Sequence, residues 1–504
     1  MQEKGHKMSK RDLASPLFKG GLFPVELFDY TYSLSQQAAE GKIDFTQLEK
    51  KIFKMVKVFG ALLMEEILRQ ADELIYQSKE HDGKSEGFRE MGIQTLFGEI
   101  LYRRRIYRTT GDFRYPLDEK LGIEKKQTIS PTLSQVSAYL ATQNSYRQSA
   151  RILEQFELYM SHQRIHKAVQ EQGERINKHR EQMPENEIKR KAEIVLVESD
   201  GVYVSLQGKD RNKYGTNLEI KNGCIYEGWE AENPAKTEYR LKNPKVIATT
   251  DSSKKYWEKV DNYLQKTYEI EKVGLFVFGS DGSSWGKEGA ELYAGSLHQI
   301  DKFHFHRWVK QVFGFGEPAM LDTLEAMIEG DDKEGFKKWM ETKKKEAKDS
   351  EKRKEIQKLE KTILKNWESL KDYRNRSDKV PEGARGIGNI ENFNDNLVAD
   401  RMKKRGMSWS KEGVENLLQV RAAVLNGEWE GVEKWLFHLD KEEDPQQSNK
   451  VDETEQKGPG RPKRGKRRQE ETGEWCQAHM PGLTGPKAWL REFGRKINET
   501  ISAL

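Results

Sequence analysis

Two copies of one tripeptide carry the chemistry that can be read from this chain. Ser-Asp-Gly occurs at Asp200 and again at Asp281, each time directly behind an apolar, strand-forming run, IVLVE and VGLFVFG. Asp-Gly by itself is a turn dipeptide, and the copy at Asp82 is read as no more than that. A carboxylate at the end of a buried strand is a different matter, because it loses hydration and needs a cation to compensate it. A divalent metal would do so, and oxygen ligands select Mg²⁺ or Mn²⁺. Two such ions, ~3.5 to 4 Å apart, activate the attacking oxygen and stabilise the leaving oxygen of a phosphodiester. A third carboxylate must complete the pocket. Glu391 is the candidate: it opens a helix just after Gly386 and Gly388, whose lack of side chains leaves room for metal and DNA backbone. The plain alternative is a first-turn acid favoured by the helix macrodipole.

The elements that must position these acids follow from periodicity. Beginning at Glu193, strand-like segments at IVLVESDGVYVSL, NLEIKNGCIYEGW and KVIATTD lead to a helix, KKYWEKVDNYLQKTYEI, and a further buried strand at VGLFVFGSDG. SLHQID makes one more strand before FHFHRWVKQVF. Strands followed by alternating helices and strands indicate an α/β core with a mixed sheet. The stretch from Glu317 to about Arg376 is wholly helical and highly charged, with one apolar stripe containing Trp339, Met340, Leu359, Ile363 and Trp367. Upstream, a long amphipathic helix runs from Asp44 to about Ser78. TLFGEILYRRRIYR then reads as a short hairpin whose Arg103, Arg104, Arg105 and Arg108 either touch phosphate or line a solvated strand face.

Residues 145–156 and 161–173 have the spacing of a helix-turn-helix, with Ser161 as N-cap. In such a unit the second helix would present His162, Gln163, Arg164 and Lys167 to base edges. Two ordinary packed helices would give the same pattern. Beyond Asp440 the composition becomes low in complexity, and KGPGRPKRGKRR gathers seven basic residues with no acid. Its Gly-Arg-Pro core resembles an AT-hook, with Arg461, Lys463 and Arg464 along a minor groove. A generic basic tail, the alternative, also favours nucleic acid.

Strand-SDG, strand-SDG, Asp-x-x-His from Asp301 to His304, then Gly-x-x-Glu followed by RMKKRGMSW resembles the DDE transposases of bacterial insertion sequences. The ISLre-type family is the nearest match, with Kra-type and Mutator-like groups as relatives, over about Ile194 to Trp429. The resemblance implies an RNase H-like core interrupted by a helical insertion before its last acid. It assigns Asp200, Asp281 and Glu391 as catalytic acids holding two Mg²⁺ or Mn²⁺ ions, and Asp301 and His304 as supporting residues. Arg401, Lys403, Lys404 and Arg405 match a basic motif suited to phosphate. The third acid is hardest to place in this family, and Glu412 and Glu415 are rivals to Glu391. His306, beside Phe303, Phe305 and Trp308, reads as structural.

Composition bounds the rest. A chain of 504 residues exceeds one core. The expected parts are a mainly helical region with a basic hairpin at 1–126, the helix-turn-helix at 127–185 and the first part of the core at 190–316. The helical insertion follows at 317–378, the rest of the core at 379–440, and a linker with the AT-hook-like segment at 441–504. With 87 Lys and Arg against 82 Asp and Glu, a polyanion must be met by local basic patches. Cys224 and Cys476 are too few for a disulfide framework or a zinc cluster. No apolar run approaches the roughly 20 residues of a membrane span, and the first residues lack a signal-peptide pattern, so a cytoplasmic protein is expected. The expected activity is binding of double-stranded DNA at the element ends, metal-dependent strand cleavage and strand transfer, in a dimer or higher assembly. The rivals are a nuclease or resolvase that integrates nothing, and a DNA-binding descendant whose acids no longer work.

Overall fold

The computed structural model describes residues 32–78, 83–109, 112–182, 188–232, 238–314 and 318–431. They fall into two compact units that divide at Ala168 and Val169. The AT-hook-like residues Arg461, Lys463 and Arg464 lie outside the described residues.

In the first unit, helix α1 (Phe45–Ser78) packs on the hairpin of strands β1 (Lys84–Thr95) and β2 (Gly98–Arg108). Strand β3 (Phe113–Arg114) and helix α2 (Pro116–Lys120) follow. Leu68, Ile93, Ile100, Tyr102 and Leu117 fill the space between them. The hairpin is longer than TLFGEILYRRRIYR alone implies: that segment contains the turn, and KSEGFREMGIQT supplies the first strand. Two of its arginines are neither solvated nor open to phosphate. Alternation along β2 turns Arg104 to Asp118, at 2.5 Å, and Arg105 to Asp72, at 2.6 Å. Arg105 also pairs with Glu73, Arg108 with Glu86, and Arg103 covers the Phe88 ring. Helices α3 (Pro131–Gln143), α4 (Tyr146–Gln155) and α5 (His162–Gln182) complete the sequence of elements up to the sheet. Ser130 and Ser145 cap α3 and α4 through their hydroxyls. Helix α5 continues nine residues past the expected stop at Gly173.

The second unit is built on a five-stranded mixed sheet, so the chain has an α/β fold. Its strands are β4 (Ile194–Ser205), β5 (Asn217–Tyr226), β8 (Lys245–Thr249), β9 (Leu275–Ser280) and β10 (Leu297–Ile300), arranged in the order β10-β9-β4-β5-β8. β4 pairs antiparallel with β5 and β5 with β8, whereas β9 and β10 run parallel to β4. Helix α6 (Gly208–Tyr214) lies between β4 and β5, and a small hairpin, β6 (Trp229–Ala231) and β7 (Tyr239–Leu241), between β5 and β8. Parallel strands need crossovers, which α7 (Ser253–Thr267) and the short α8 (Ser284–Lys287) supply. The central strand is apolar on both faces, as a covered sheet requires. Val195 and Val197 pack with Tyr256, Trp257, Val260 and Phe278, while Leu196 meets Val277, Tyr226 and Ile390.

Helix α9 (Lys302–Phe313) follows β10 and opens the charged helical segment: α10 (Pro318–Glu329), α11 (Lys333–Glu346), α12 (Ser350–Lys365) and α13 (Trp367–Leu370). Phe336, Met340, Leu359, Ile363 and Trp367 form a core there with Phe305 and Val309 of α9. The chain returns to the sheet through α14 (Ile390–Asn394), a π-helical stretch at Asp395–Lys403, and α15 (Lys411–Leu425). Gly173 lets α5 meet α15, since a Cβ there would stand 2.3 Å from the Asn416 carbonyl oxygen.

Candidate functional site

The parallel ladder between β4 and β9 aligns the two Ser-Asp-Gly copies: Ser199 is the register partner of Ser280, so Asp200 and Asp281 follow on neighbouring strands. Asp281 stands just past the end of β9, where Gly282 takes a φ of +86° and the Asp281 Oδ1 accepts from the Ser283 N–H at 2.8 Å. Asp200 corrects the expectation of a strand end. β4 continues through Asp200 and Gly201 to Ser205 because β5 pairs with it from Leu196 as far as Ser205.

Asp200 is 8% exposed. Its Oδ1 accepts from the Gly201 N–H at 2.7 Å and its Oδ2 from the Asn394 side-chain amide at 2.6 Å. Burial pushes its pKa up to about 6; His304 and the Gly201 N–H oppose the rise, while Asp281 and Glu391 add to it. Asp301 caps α9, its Oδ1 accepting from the Phe303 N–H at 2.9 Å. Burial raises its pKa as well. One turn on, His304 Nε2 lies 3.1 Å from Glu391 Oε1. Burial alone would lower the His304 pKa, but Glu391, Asp200 and Asp281 hold it above the ordinary value.

Asp200, His304 and Glu391 can each present a ligand atom within 4.8 Å of the other two. Asp281 is close enough for its charge to act on Asp200 and His304, but it is not a member of that group. His304, expected only as a supporting residue, thus joins two of the three expected acids. The buried Asp301 Oδ2 has no hydrogen-bond partner among the described residues, and His304 Nε2 meets only the Glu391 carboxylate. Burying a polar atom without a partner is costly, and two carboxylates and an imidazole, with the orphaned Asp301 oxygen nearby, form a donor set that fits a divalent cation.

The rivals for the third acid are employed otherwise. Glu415 accepts from the Thr250 N–H at 2.7 Å and the Thr250 hydroxyl at 2.8 Å, and Glu412 is an exposed acid in the first turn of α15. Glu391 is held against β4 from both sides. Ahead of it, the buried Glu198 accepts from the N–H groups of Gly388, at 2.9 Å, and Ile390, at 3.1 Å, from the Asn389 amide at 3.0 Å, and from the Tyr226 hydroxyl. Burial raises the Glu198 pKa and these four donors oppose the rise. Behind it, Asn394 bridges Asp200 and Asn222. Sequence reasoning missed Glu198 and Asn394. The signal available was the spacing itself: Glu198 two residues before Asp200 on one strand face, and Asn394 three after Glu391 on one helix face.

The expected nucleic-acid contacts divide. Gln163, Arg164 and Lys167 are exposed on the first turns of α5. Arg401 corrects its assignment: it is 3% exposed and lies over the Trp409 ring, because the π-helical turn directs it inward. Lys404 pairs with Asp400 and Asp395, whereas Lys403 is exposed. The side chain of Arg405 lies outside the described residues. His306 pairs with Glu325.

Among the described residues no helix is long and apolar enough to cross a membrane. The chain is 26% identical over 394 residues to the UPF0236 protein in the vanSb 3′ region of Streptococcus gallolyticus, which covers 76% of this chain and 84% of that protein. It is 28% identical over 393 residues to UPF0236 protein TTE2489 of Caldanaerobacter subterraneus subsp. tengcongensis, covering 76% and 79%. Another protein of that strain, whose single name joins eleven locus labels, is 27% identical over 392 residues, again covering 76% and 79%. The family profile matches residues 38–437, and the chain therefore belongs to UPF0236, an uncharacterised protein family.

Proposed function

We propose that this chain is a DNA transposase of the DDE type, which binds the ends of its own element and carries out cleavage and strand transfer at one site. The observation that carries the reading is the convergence of Asp200, His304 and Glu391 beside Asp281, with the buried Asp301 Oδ2 lacking a hydrogen-bond partner among the described residues. The sheet supports it: three antiparallel strands and two parallel ones, with acids on the central strand and its parallel neighbour, accord with an RNase H-like core. A relative whose name spans eleven labels of one strain accords with an element present in many copies.

Asp200, Glu391 and His304 would hold the cation, Mg²⁺ or Mn²⁺, and Asp281 would complete a place for a second ion. Bound there, such ions would activate the attacking oxygen and stabilise the leaving oxygen of a phosphodiester. The chain's own residues do the remaining work. Asn394 and the Gly201 N–H fix the Asp200 carboxylate, and Glu198 fixes the backbone that carries Glu391. Gln163, Arg164 and Lys167 on α5, the second helix of a helix-turn-helix in this reading, would contact the element ends, and Lys403 would meet phosphate. Holding two ends together calls for a dimer or higher assembly in the cytoplasm.

The test is cleavage of a plasmid carrying this reading frame with its flanking DNA, by the full chain, with Mg²⁺ or Mn²⁺. Nicks should map to the two flanks and vanish in Asp200→Ala and Glu391→Ala, with DNA binding kept. Undiminished cleavage by both variants, or no metal-dependent cleavage by the unaltered chain, overturns the reading.

A further inference from the structure

We propose that the cavity behind the Glu391 helix binds one nucleotide of the DNA strand, its base against aromatic rings and its phosphate on Arg385. This rests on the DNA reading above. The cavity measures about 930 Å³, and its walls include Trp229 and Tyr239 of the β6–β7 hairpin with Arg385, Asn389, Asn392 and Phe393. That volume lies in the range of small-ligand sites.

Helical spacing of ~100° per residue puts Asn389, Asn392 and Phe393 on one side of α14, and Glu391 and Asn394 on the other. One helix, ~10 Å across with its side chains, therefore separates the cavity from the group of Asp200, His304 and Glu391. A stacked strand advances ~3.4 Å per nucleotide, so a base in the cavity lies within about three nucleotides of a phosphate at the acids.

The lining chooses the ligand class. Stacking on aromatic rings accepts any base, since every base has a π-face. Arg385 lies over the Tyr239 ring at 4.1 Å, and no described carboxylate forms an ion pair with it. The neighbouring Arg240 is instead paired with Glu230 at 2.7 Å. A guanidinium stacked on a ring and lacking an acid keeps its donor edge for an anion, and phosphate matches its fork. Gly386 leaves the wall open, with nothing within 4 Å of where a Cβ would stand. A purely apolar ligand would waste the cation, and an acidic peptide would leave the rings unstacked.

The probe is a mixed-sequence single-stranded oligonucleotide containing 4-thiothymidine, bound to the full chain, photocrosslinked and mapped by mass spectrometry. Crosslinks should fall on Trp229, Tyr239 or Phe393, and Arg385→Ala and Tyr239→Ala should each weaken binding about tenfold. Thermal melts of both variants check that the fold is kept. Crosslinks confined to other surfaces, with affinity unchanged in two folded variants, overturn the proposal while leaving the cleavage reading intact. Failure to bind any DNA overturns both.

Discussion

Replacing Glu198 tests how the third acid is held. Its carboxylate is 1% exposed and accepts four hydrogen bonds, two of them from the backbone immediately ahead of Glu391. Leucine at this position keeps the bulk but strands the N–H groups of Gly388 and Ile390, at about 1 to 3 kcal/mol for each orphaned donor. The Asn389 amide and Tyr226 hydroxyl lose a partner too, though both can turn toward others. The expected loss for Glu198→Leu is about 3 kcal/mol, concentrated in the segment that returns to the sheet. Since 1.36 kcal/mol is a factor of ten, amide exchange of peptides spanning 386–394 should accelerate about 100-fold. Glu198→Gln keeps one acceptor for the two N–H groups, and its amide can donate to the Tyr226 hydroxyl, so exchange there should change less than tenfold. Hydrogen exchange followed by mass spectrometry reads both variants on the same peptides. Unchanged exchange in Glu198→Leu, or equal acceleration in both variants, refutes the claim that this carboxylate anchors the third acid.

Three further outcomes are expected. Asp200, with a pKa of about 6, must lose its proton to hold a cation. His304, whose pKa is held above the ordinary value, must lose one too, so Mn²⁺ affinity measured calorimetrically should fall as pH drops through the His304 range and more steeply below about 6, and Asp200→Asn should remove the added steepness while leaving the His304 dependence. His298 sits between the hydroxyls of Ser280 and Ser369, and burial, with Lys287 and Arg376, lowers its pKa to about 4. The unfolded chain binds that proton near pH 6.5 and the folded chain does not, so this group's stabilisation is complete above 6.5 and declines as pH falls toward 4. His298→Gln should lessen the drop in melting temperature between pH 7 and 5. In the first unit, Asp72→Ala leaves the largely buried Arg105 with Glu73 alone, and urea unfolding should show a loss of about 2 to 4 kcal/mol with Mn²⁺ binding unchanged.

The strands of the core were legible because a sheet covered on both faces demands unbroken apolar runs, and IVLVE and VGLFVFG are such runs. The two Ser-Asp-Gly copies could likewise be singled out by their position after those runs. Local chemistry misled where a partner strand overrode it: Asp200 reads as the end of its strand until β5 is seen to pair with β4 past it to Ser205. Arg104, Arg105 and Arg401 read as surface cations because nothing near them in sequence reveals the carboxylates or the indole that receive them.

Residue type and order by themselves determined which acids are available, that a mixed sheet forms, and where a charged helical segment separates its last strand from Glu391. Which acids meet was decided by tertiary structure alone. Glu391 lies 191 residues from Asp200, and the Glu198 anchor, the Asn394 bridge and the packing of Ile390 in the Leu196 cluster bring its helix to that strand. The same assembly put His304 within reach of both. The physical reason is range: hydrophobic period and turn chemistry act over a few residues, whereas a cation site is fixed by contacts between segments that the sequence keeps far apart.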